Sequence, residues 1–255
     1  MKKILIRVVL AVVVLLVVAV VVGAMFLGSI VKKGVETVGP SITKTDLKLD
    51  GASLSVLSGS GTLKGFVLGN PEGYKGDFAI KVGVVDVGVK PGSVFSDKIH
   101  VTHVRINGPE IALEGNPAGN NNLTKIMDNV QAATGSSGGD KPQPKTADKG
   151  VAKKLQVDDV LITGGKIHLS TILTAGKPVT VPLPDIHLTN LGEGPDGITA
   201  GELTKKVLGE VTRSTLSAAA KGIADLGKGA VDAAKGAADG VGKAVKGVGD
   251  LLKKK

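Results

Sequence analysis

The chain has 255 residues, of which 42% are apolar but only 2% aromatic, and it contains no cysteine. The absence of cysteine excludes a disulfide framework, a zinc-thiolate site and a cysteine nucleophile. The formal net charge of +9 lies mainly at the two ends, since residues 1–30 carry +3 and residues 221–255 carry +4. The nearly neutral, aromatic-poor body between them lacks the basic stacking surface of a nucleic-acid binder. We therefore expect no nucleic-acid partner.

Residues 8–27 form a run of twenty residues without a charged or polar side chain, and three basic residues precede it. A helix of this length spans about 30 Å, the thickness of the hydrocarbon core of a bilayer. The pattern predicts a membrane anchor over residues 1–30. A cleaved signal peptide is the alternative, although apolar regions of signal peptides usually run about 7–15 residues. The basic residues before the span favour a cytoplasmic N-terminus and a translocated body.

Short apolar runs separated by Gly, Pro and Asn turns follow from Thr45 onward and predict β-strands. The apolar phase switches between Val84 and Val85, and a similar switch occurs between Val101 and Val104. A phase switch within one run predicts a bulge or a bend. Valine-rich, aromatic-poor segments of this kind favour a curved antiparallel sheet.

Residues 120–133 have Asn N-cap candidates and apolar residues at helical spacing, which predicts one short amphipathic helix on the sheet. Residues 134–150 are rich in Gly, Ser, Pro and Lys and predict a flexible linker. Further strand-like runs follow between Leu155 and Leu188. We therefore predict one β domain over residues 31–198.

Residues 199–255 differ in composition from the β domain and are rich in Gly, Ala, Lys and Asp. Small apolar residues recur there at alternating spacings of three and four, which predicts a helical tail. Each glycine in the tail costs about 1 kcal/mol of helix stability relative to alanine. We expect the tail to be helical only when it packs against another helix or associates weakly with a membrane surface.

The polar residues do not form a recognisable catalytic or metal site. His100 and His103 would point to opposite faces of a regular strand unless a bulge intervenes, and His168 and His187 lie in matching contexts that suggest cross-strand neighbours. The acids at residues 158, 159 and 185 have no identifiable partner, and no nucleotide, hydrolase or zinc-protease motif occurs. We expect no enzymatic activity, no cofactor and no metal.

The segment Leu54–Tyr74, LSVLSGSGTLKGFVLGNPEGY, resembles the opening of AsmA-like domains. These belong to envelope proteins anchored in the inner membrane of Gram-negative bacteria and linked to outer-membrane biogenesis. Four further matches follow in the family's order over residues 1–210: Ile106–Ile111, Asn120–Leu123, Thr163–Ile167 and Leu183–Gly192. The resemblance implies a single-pass inner-membrane protein with a periplasmic body.

The family is similar to elongated β-groove proteins associated with phospholipid transfer, so the resemblance implies an apolar groove that binds or passes phospholipid. The apolar residues we expect to line such a groove are Leu54, Val56, Phe66, Leu68, Ile80, Val82, Val101 and Val104. Two other functions fit the same sequence. One is a scaffold that holds an envelope protein partner at the inner membrane, and the other is a membrane-surface binder that acts through its tail.

Overall fold

A computed structural model describes residues 27–55, 57–135, 153–170 and 179–252, with side chains described as far as residue 225 and at Lys228. Three predicted features lie outside these ranges: the anchor apart from its residues 27–30, the groove residue Val56, and the linker beyond its first two residues. None of the helices in the described ranges combines the length and apolarity needed to cross a bilayer.

Three helices and ten strands make up the described chain, which confirms a mostly β fold with helices. The helices are α1 (residues 27–43), α2 (Asn122–Thr134) and α3 (Ala200–Leu252), and a short 3-10 helix spans Pro91–Phe95. The strands are β1 (Leu47–Lys48), β2 (Gly51–Ser55), β3 (Ser60–Leu68), β4 (Ile80–Val89), β5 (Lys98–Asn107), β6 (Glu110–Glu114), β7 (Lys154–Thr163), β8 (Lys166–Ser170), β9 (Val179–Pro182) and β10 (Ile186–Leu191).

All ten strands belong to one open sheet. The register is continuous from β5 into β6, from β7 into β8 and from β9 into β10, so each of these pairs acts as one long, interrupted strand. The sheet therefore runs from β1 and β2 through β3 and β4 to the three long strands.

The predicted antiparallel sheet is wrong at one place, because β5 pairs with β7 and β6 pairs with β8 in parallel. Parallel neighbours need a crossover of a dozen or more residues, usually with a helix. The chain supplies it between Glu114 and Lys154, where α2 lies. The helix thus serves as the crossover of a mixed sheet.

A row of four glycines and one proline crosses the sheet where the long strands are interrupted. Gly65 of β3 lies opposite Gly83 of β4, because the register pairs Lys64 with Val84 and Phe66 with Val82. The same registers continue the row through the other strands. We call Gly65, Gly83, Gly108, Gly164 and Pro184 the glycine row.

Each strand changes its facing pattern at the glycine row. Val82 and Val85, which are both buried, lie three residues apart rather than two, and Leu183 and Ile186 repeat this spacing. The phase switch predicted within β4 is therefore confirmed as a bend that all the long strands share. The second predicted switch is also confirmed, since the β4–β5 register shifts between Gly88 and Val89, opposite the step from Val101 to Val104.

The core lies between the sheet and the helices α2 and α3. The predicted short helix is confirmed as α2, whose N-cap Asn121 accepts a hydrogen bond from the Thr124 backbone N–H at 2.9 Å. Its Leu123, Ile126 and Val130 are fully buried. We call the sheet face that carries these helices the inner face, and the opposite one the outer face.

A capping box starts α3. The Thr199 N–H donates to Glu202 Oε2 at 2.8 Å, and the Glu202 N–H donates to Thr199 Oγ1 at 3.1 Å. This exchange satisfies two backbone donors at the helix start and holds the pKa of the Glu202 carboxyl below its ordinary value. The cap fixes where the helix leaves the sheet, so its first turns lie against the core.

Candidate functional site

The predicted groove residues within the described ranges all lie on the inner face. Leu68 pairs with Ile80, and Phe66 pairs with Val82, so these four side chains share one face. Ile80 is in turn paired with Ile111 of β6, which is fully buried under the helices. The alternation therefore assigned these four residues to a common apolar surface.

The other three belong to the same surface on the far side of the glycine row. Val104 pairs with Val87 of β4 and with the buried Val160 of β7. Val101 pairs with Val157, which is also buried. Leu54 of β2 pairs with Gly61, and its side chain lies over that glycine, where a Cβ would be 2.5 Å from Leu54 Cδ2.

The helices cover only part of this face. Among the described residues, α2 contacts β6, α3 contacts β8, β9 and β10, and α1 lies beside β1 and β2. Gly222 of α3 approaches β9 so closely that a Cβ there would lie 2.6 Å from Val181 Cγ1. Small residues thus hold α3 over one side of the sheet, and the parts of β3 to β5 beyond the glycine row form the less covered side.

Burial follows this division. Leu68 is 4% exposed and belongs to the core cluster, and Val82 is 5% exposed. Beyond the glycine row, the inner face of β2 to β5 has one large buried side chain, Val85, and its other aliphatic side chains are half-buried. We call this surface the open half, and it consists of Leu54, Leu63, Val87, Val89, Val101 and Val104.

Leu63, Val87 and Val89 were missed by the sequence prediction of the groove. They belong to it because the three-residue step at the glycine row brings Leu63 onto the same face as Phe66. In the sequence, the glycine within each strand, such as Gly65 between Leu63 and Phe66, marks the position of this three-residue step. Phe66 and Ile80 are half-buried and pack against the core cluster, as Val101 and Val104 of the open half also do, so these four residues form the boundary between the core and the open half.

The asparagine motifs meet in one polar cluster at the other end of the sheet. Asn122 is fully buried, and its Nδ2 donates to Asn70 Oδ1 and to the Ala112 carbonyl, both at 2.7 Å. Asn70 donates to the Gly76 carbonyl at 2.8 Å. The Glu114 N–H donates to Asn122 Oδ1 at 3.0 Å. These motifs therefore tie the β3–β4 loop to α2, which gives them a structural role.

Histidine–carboxylate pairs occupy the outer face. His100 Nε2 lies 2.6 Å from Asp158 Oδ2, and this hydrogen bond holds the pKa of the Asp158 carboxyl below its ordinary value. His187 Nε2 lies 2.5 Å from Asp159 Oδ1, and the same carboxylate also contacts Arg105, so the pKa of the Asp159 carboxyl is lowered as well. These acids thus have partners that the sequence did not reveal.

The predicted pairing of His168 with His187 is wrong. His168 lies opposite Thr180, whereas His187 lies opposite Leu161 on a different strand. The two histidines have similar neighbours in sequence, but β8 and β10, which carry them, lie on opposite sides of the glycine row. Within the described ranges, no group of three or more His, Asp or Glu side chains is arranged to hold a metal ion.

Two threonine hydroxyls are buried on α3. Thr212 is 7% exposed and Thr215 is fully buried, yet neither Oγ1 has a hydrogen-bond partner among the described residues. Thr204 earlier in the same helix shows the usual alternative, since its Oγ1 donates to the Ala200 carbonyl at 2.9 Å. The hydroxyls make the covered side slightly polar.

The comparisons with known proteins agree with the resemblance carried by the turn motifs. No curated protein matches the chain. The model of the AsmA family matches residues 1–173, a region that includes the predicted anchor, the strands β1 to β8 and α2. Because this match extends over more than half of the sequence, the chain belongs to the AsmA family.

Proposed function

We propose that this protein binds phospholipid acyl chains on the open half of its inner face, as a non-enzymatic component of envelope biogenesis. Membership of the AsmA family indicates a membrane-associated envelope protein with a role in envelope or outer-membrane biogenesis. The finer proposal places the anchor in the inner membrane and the body in the periplasm. Passage of lipid along the sheet, with an envelope protein partner that extends the route, is part of the same proposal.

The observation that carries the proposal is a charge-free, half-buried aliphatic surface that lies away from the described contacts of α2 and α3 with the strands. From the level of Leu63, which pairs with Val85, to Val89 the open half extends about 13 Å along the strands, and from β3 to β5 it extends about 10 Å across them. A surface of this size shelters a segment of one acyl chain. At about 0.8 kcal/mol for each buried methylene, five or six methylenes contribute about 4 to 5 kcal/mol.

A matched pair of substitutions in β4 tests the proposal. Val87 lies on the inner face in the open half, whereas Val84, three residues away, lies on the outer face and is 45% exposed. We expect Val87→Asp to reduce phospholipid that co-purifies with the full chain, because a carboxylate repels acyl chains. Val84→Asp should leave it unchanged, and circular dichroism verifies that both variants are folded.

A photo-crosslinking experiment provides a second readout that preserves apolar character. A benzoylphenylalanine at position 87 should form adducts whose mass equals that of the protein plus one phospholipid, and the same group at position 84 should not. Equal adducts at both positions would refute a lipid site on the inner face. Absence of lipid at both positions, in a folded protein, would favour the scaffold function.

A further inference from the structure

Among the described residues, the most exposed large apolar side chains lie on two turns at one end of the sheet. Leu57, in the β2–β3 turn, and Phe95, in the 3-10 helix, are each 81% exposed. Ile30 and Val38 of α1 are the next most exposed at 63% and 53%. At such exposure these two side chains contribute little to the core, and together on neighbouring turns they form an exposed apolar patch of the kind that marks a contact surface.

The two turns adjoin one another. The Val89 N–H donates to the Gly59 carbonyl at 2.6 Å, and a Cβ on Gly59 would lie 3.1 Å from Pro91 Cδ. Lys153 Nζ donates to the Val94 carbonyl at 2.5 Å and braces the 3-10 helix. We call residues 57–59 together with Pro91–Phe95 the apolar tip.

Helix α1 points its N-terminal end toward the apolar tip. Gly39 packs on Leu47 of β1, Glu36 Oε1 accepts a hydrogen bond from the Leu49 N–H at 3.0 Å, and Gly28 abuts the Ala52 carbonyl of β2. The helix and the strands thus run in opposite directions. From Ala52 to Ser55 the strand continues about 10 Å past the level of Gly28, toward the tip.

The apolar run of residues 8–27 leads directly into this end of α1. If that run spans the membrane and ends at Leu27, the turn that follows Ser55 reaches the bilayer surface from which α1 emerges. We propose that the apolar tip docks into that surface, with Leu57 and Phe95 in the interfacial region. The contact rests on the predicted anchor and does not depend on lipid binding in the open half.

The charges around the tip fit a membrane surface. Lys90, Lys98, Lys153 and Lys154 flank it against Asp97, while Glu193 and Asp196 lie on the neighbouring loop after β10. Lysines beside an inserted apolar residue meet anionic headgroups, and their stems cover the boundary. Val89, which begins the open half, is bonded to Gly59 of the tip. Docking at the tip therefore brings the open half next to the membrane.

The absence of native cysteine allows the contact to be tested in the full chain with single labels. Leu57→Cys and Phe95→Cys are each labelled with an environment-sensitive fluorophore and reconstituted into vesicles of phosphatidylethanolamine and phosphatidylglycerol. Glu72→Cys, exposed on the β3–β4 loop at the other end of the sheet, is the control. We expect lipids with a headgroup spin label to quench the labels at 57 and 95 several-fold more strongly than the label at 72.

A second substitution separates docking by the native side chains from affinity of the label for lipid. Phe95→Asp in the Leu57→Cys chain should at least halve the quenching at position 57, and circular dichroism should show unchanged secondary structure. Quenching at 57 and 95 no stronger than at 72 would overturn the proposal. A blue shift at 57 and 95 without lipid quenching would also overturn it and indicate that a protein covers the tip.

Discussion

The glycine row offers a graded test of the bend that separates the core from the open half. Gly108 has φ +63°, and a Cβ built on it meets no atom within 4 Å. Gly108→Ala therefore isolates the cost of the left-handed conformation, about 1 to 2 kcal/mol. Gly83 in the same row has open space around its Cβ without a positive φ. Gly83→Ala should change the free energy of unfolding by no more than about 0.5 kcal/mol.

Gly65 adds a steric cost to the same conformation. Its φ is +61°, and a Cβ would lie 1.9 Å from Asp50 Oδ2 and 2.8 Å from Asp50 Cβ. The alanine must displace a side chain close to its own backbone, and overpacking of this kind costs about 1 to 3 kcal/mol. Together with the strain of the left-handed conformation, Gly65→Ala should destabilise the fold by about 3 kcal/mol.

Thermal unfolding of the full chain in detergent, followed by circular dichroism, measures the series. For a chain of this size, 1 kcal/mol corresponds to about 2–4 °C in Tm. The expected order of Tm is Gly83→Ala highest, then Gly108→Ala, then Gly65→Ala. Gly108→Asn should recover part of the loss, because asparagine tolerates the left-handed region better than alanine does. An equal loss of Tm in Gly83→Ala and Gly108→Ala would refute the conclusion that the left-handed conformation at position 108 is what makes alanine unfavourable there.

Two further predictions concern polar groups whose surroundings the structure defines. Thr215→Val should raise the free energy of unfolding by about 1 kcal/mol, because it removes a buried hydroxyl without a partner among the described residues; Thr204→Val should give no such gain in a denaturant titration. The lowered pKa of Asp158 contributes stability that is present above its ordinary value of 3.8 and is lost as pH falls through the lower folded-state pKa. His100→Ala should therefore shift acid unfolding to higher pH, whereas His103→Ala should not, since the His103 ring hydrogen-bonds Thr102 rather than a carboxylate.

Most of the strands could be predicted because they are short, alternate at period two and end at Gly, Pro or Asn turns. The bends could be predicted in β4 and β5 because a strand that keeps its apolar residues on one face can change their phase only through a bulge or a bend. The parallel pairing of β5 with β7 and of β6 with β8 could not be predicted from the sequence. The pairing depends on where β7 lies after the crossover through α2. The sequence of residues 120–150 is equally consistent with an insertion between two separate groups of hairpins.

The inner face could be predicted as apolar, but which part of it is covered could not. Leu68 and Leu54 have the same sequence signal, a leucine on an alternating strand, yet one is buried in the core and the other is half-buried. The difference arises from tertiary packing, because Leu68 belongs to the core cluster that includes Leu123 and Ile126 of α2, whereas Leu54 does not. The missed threonines have the same cause, since only the packed helix shows that Thr215 is buried.

The positions of the helices explain why an aliphatic surface remains open in this fold. Helix α1 lies along β1 and β2, and its end meets α2, where Asn129 Nδ2 donates to the Thr43 carbonyl at 2.8 Å. Helix α3 is held over β8 to β10. The strands between these supports have apolar side chains but no helix of their own among the described residues, and they continue toward the apolar tip. A ligand that enters the open half from the tip therefore gains apolar contact without displacing any of these helices, so binding does not have to offset the cost of unpacking the core.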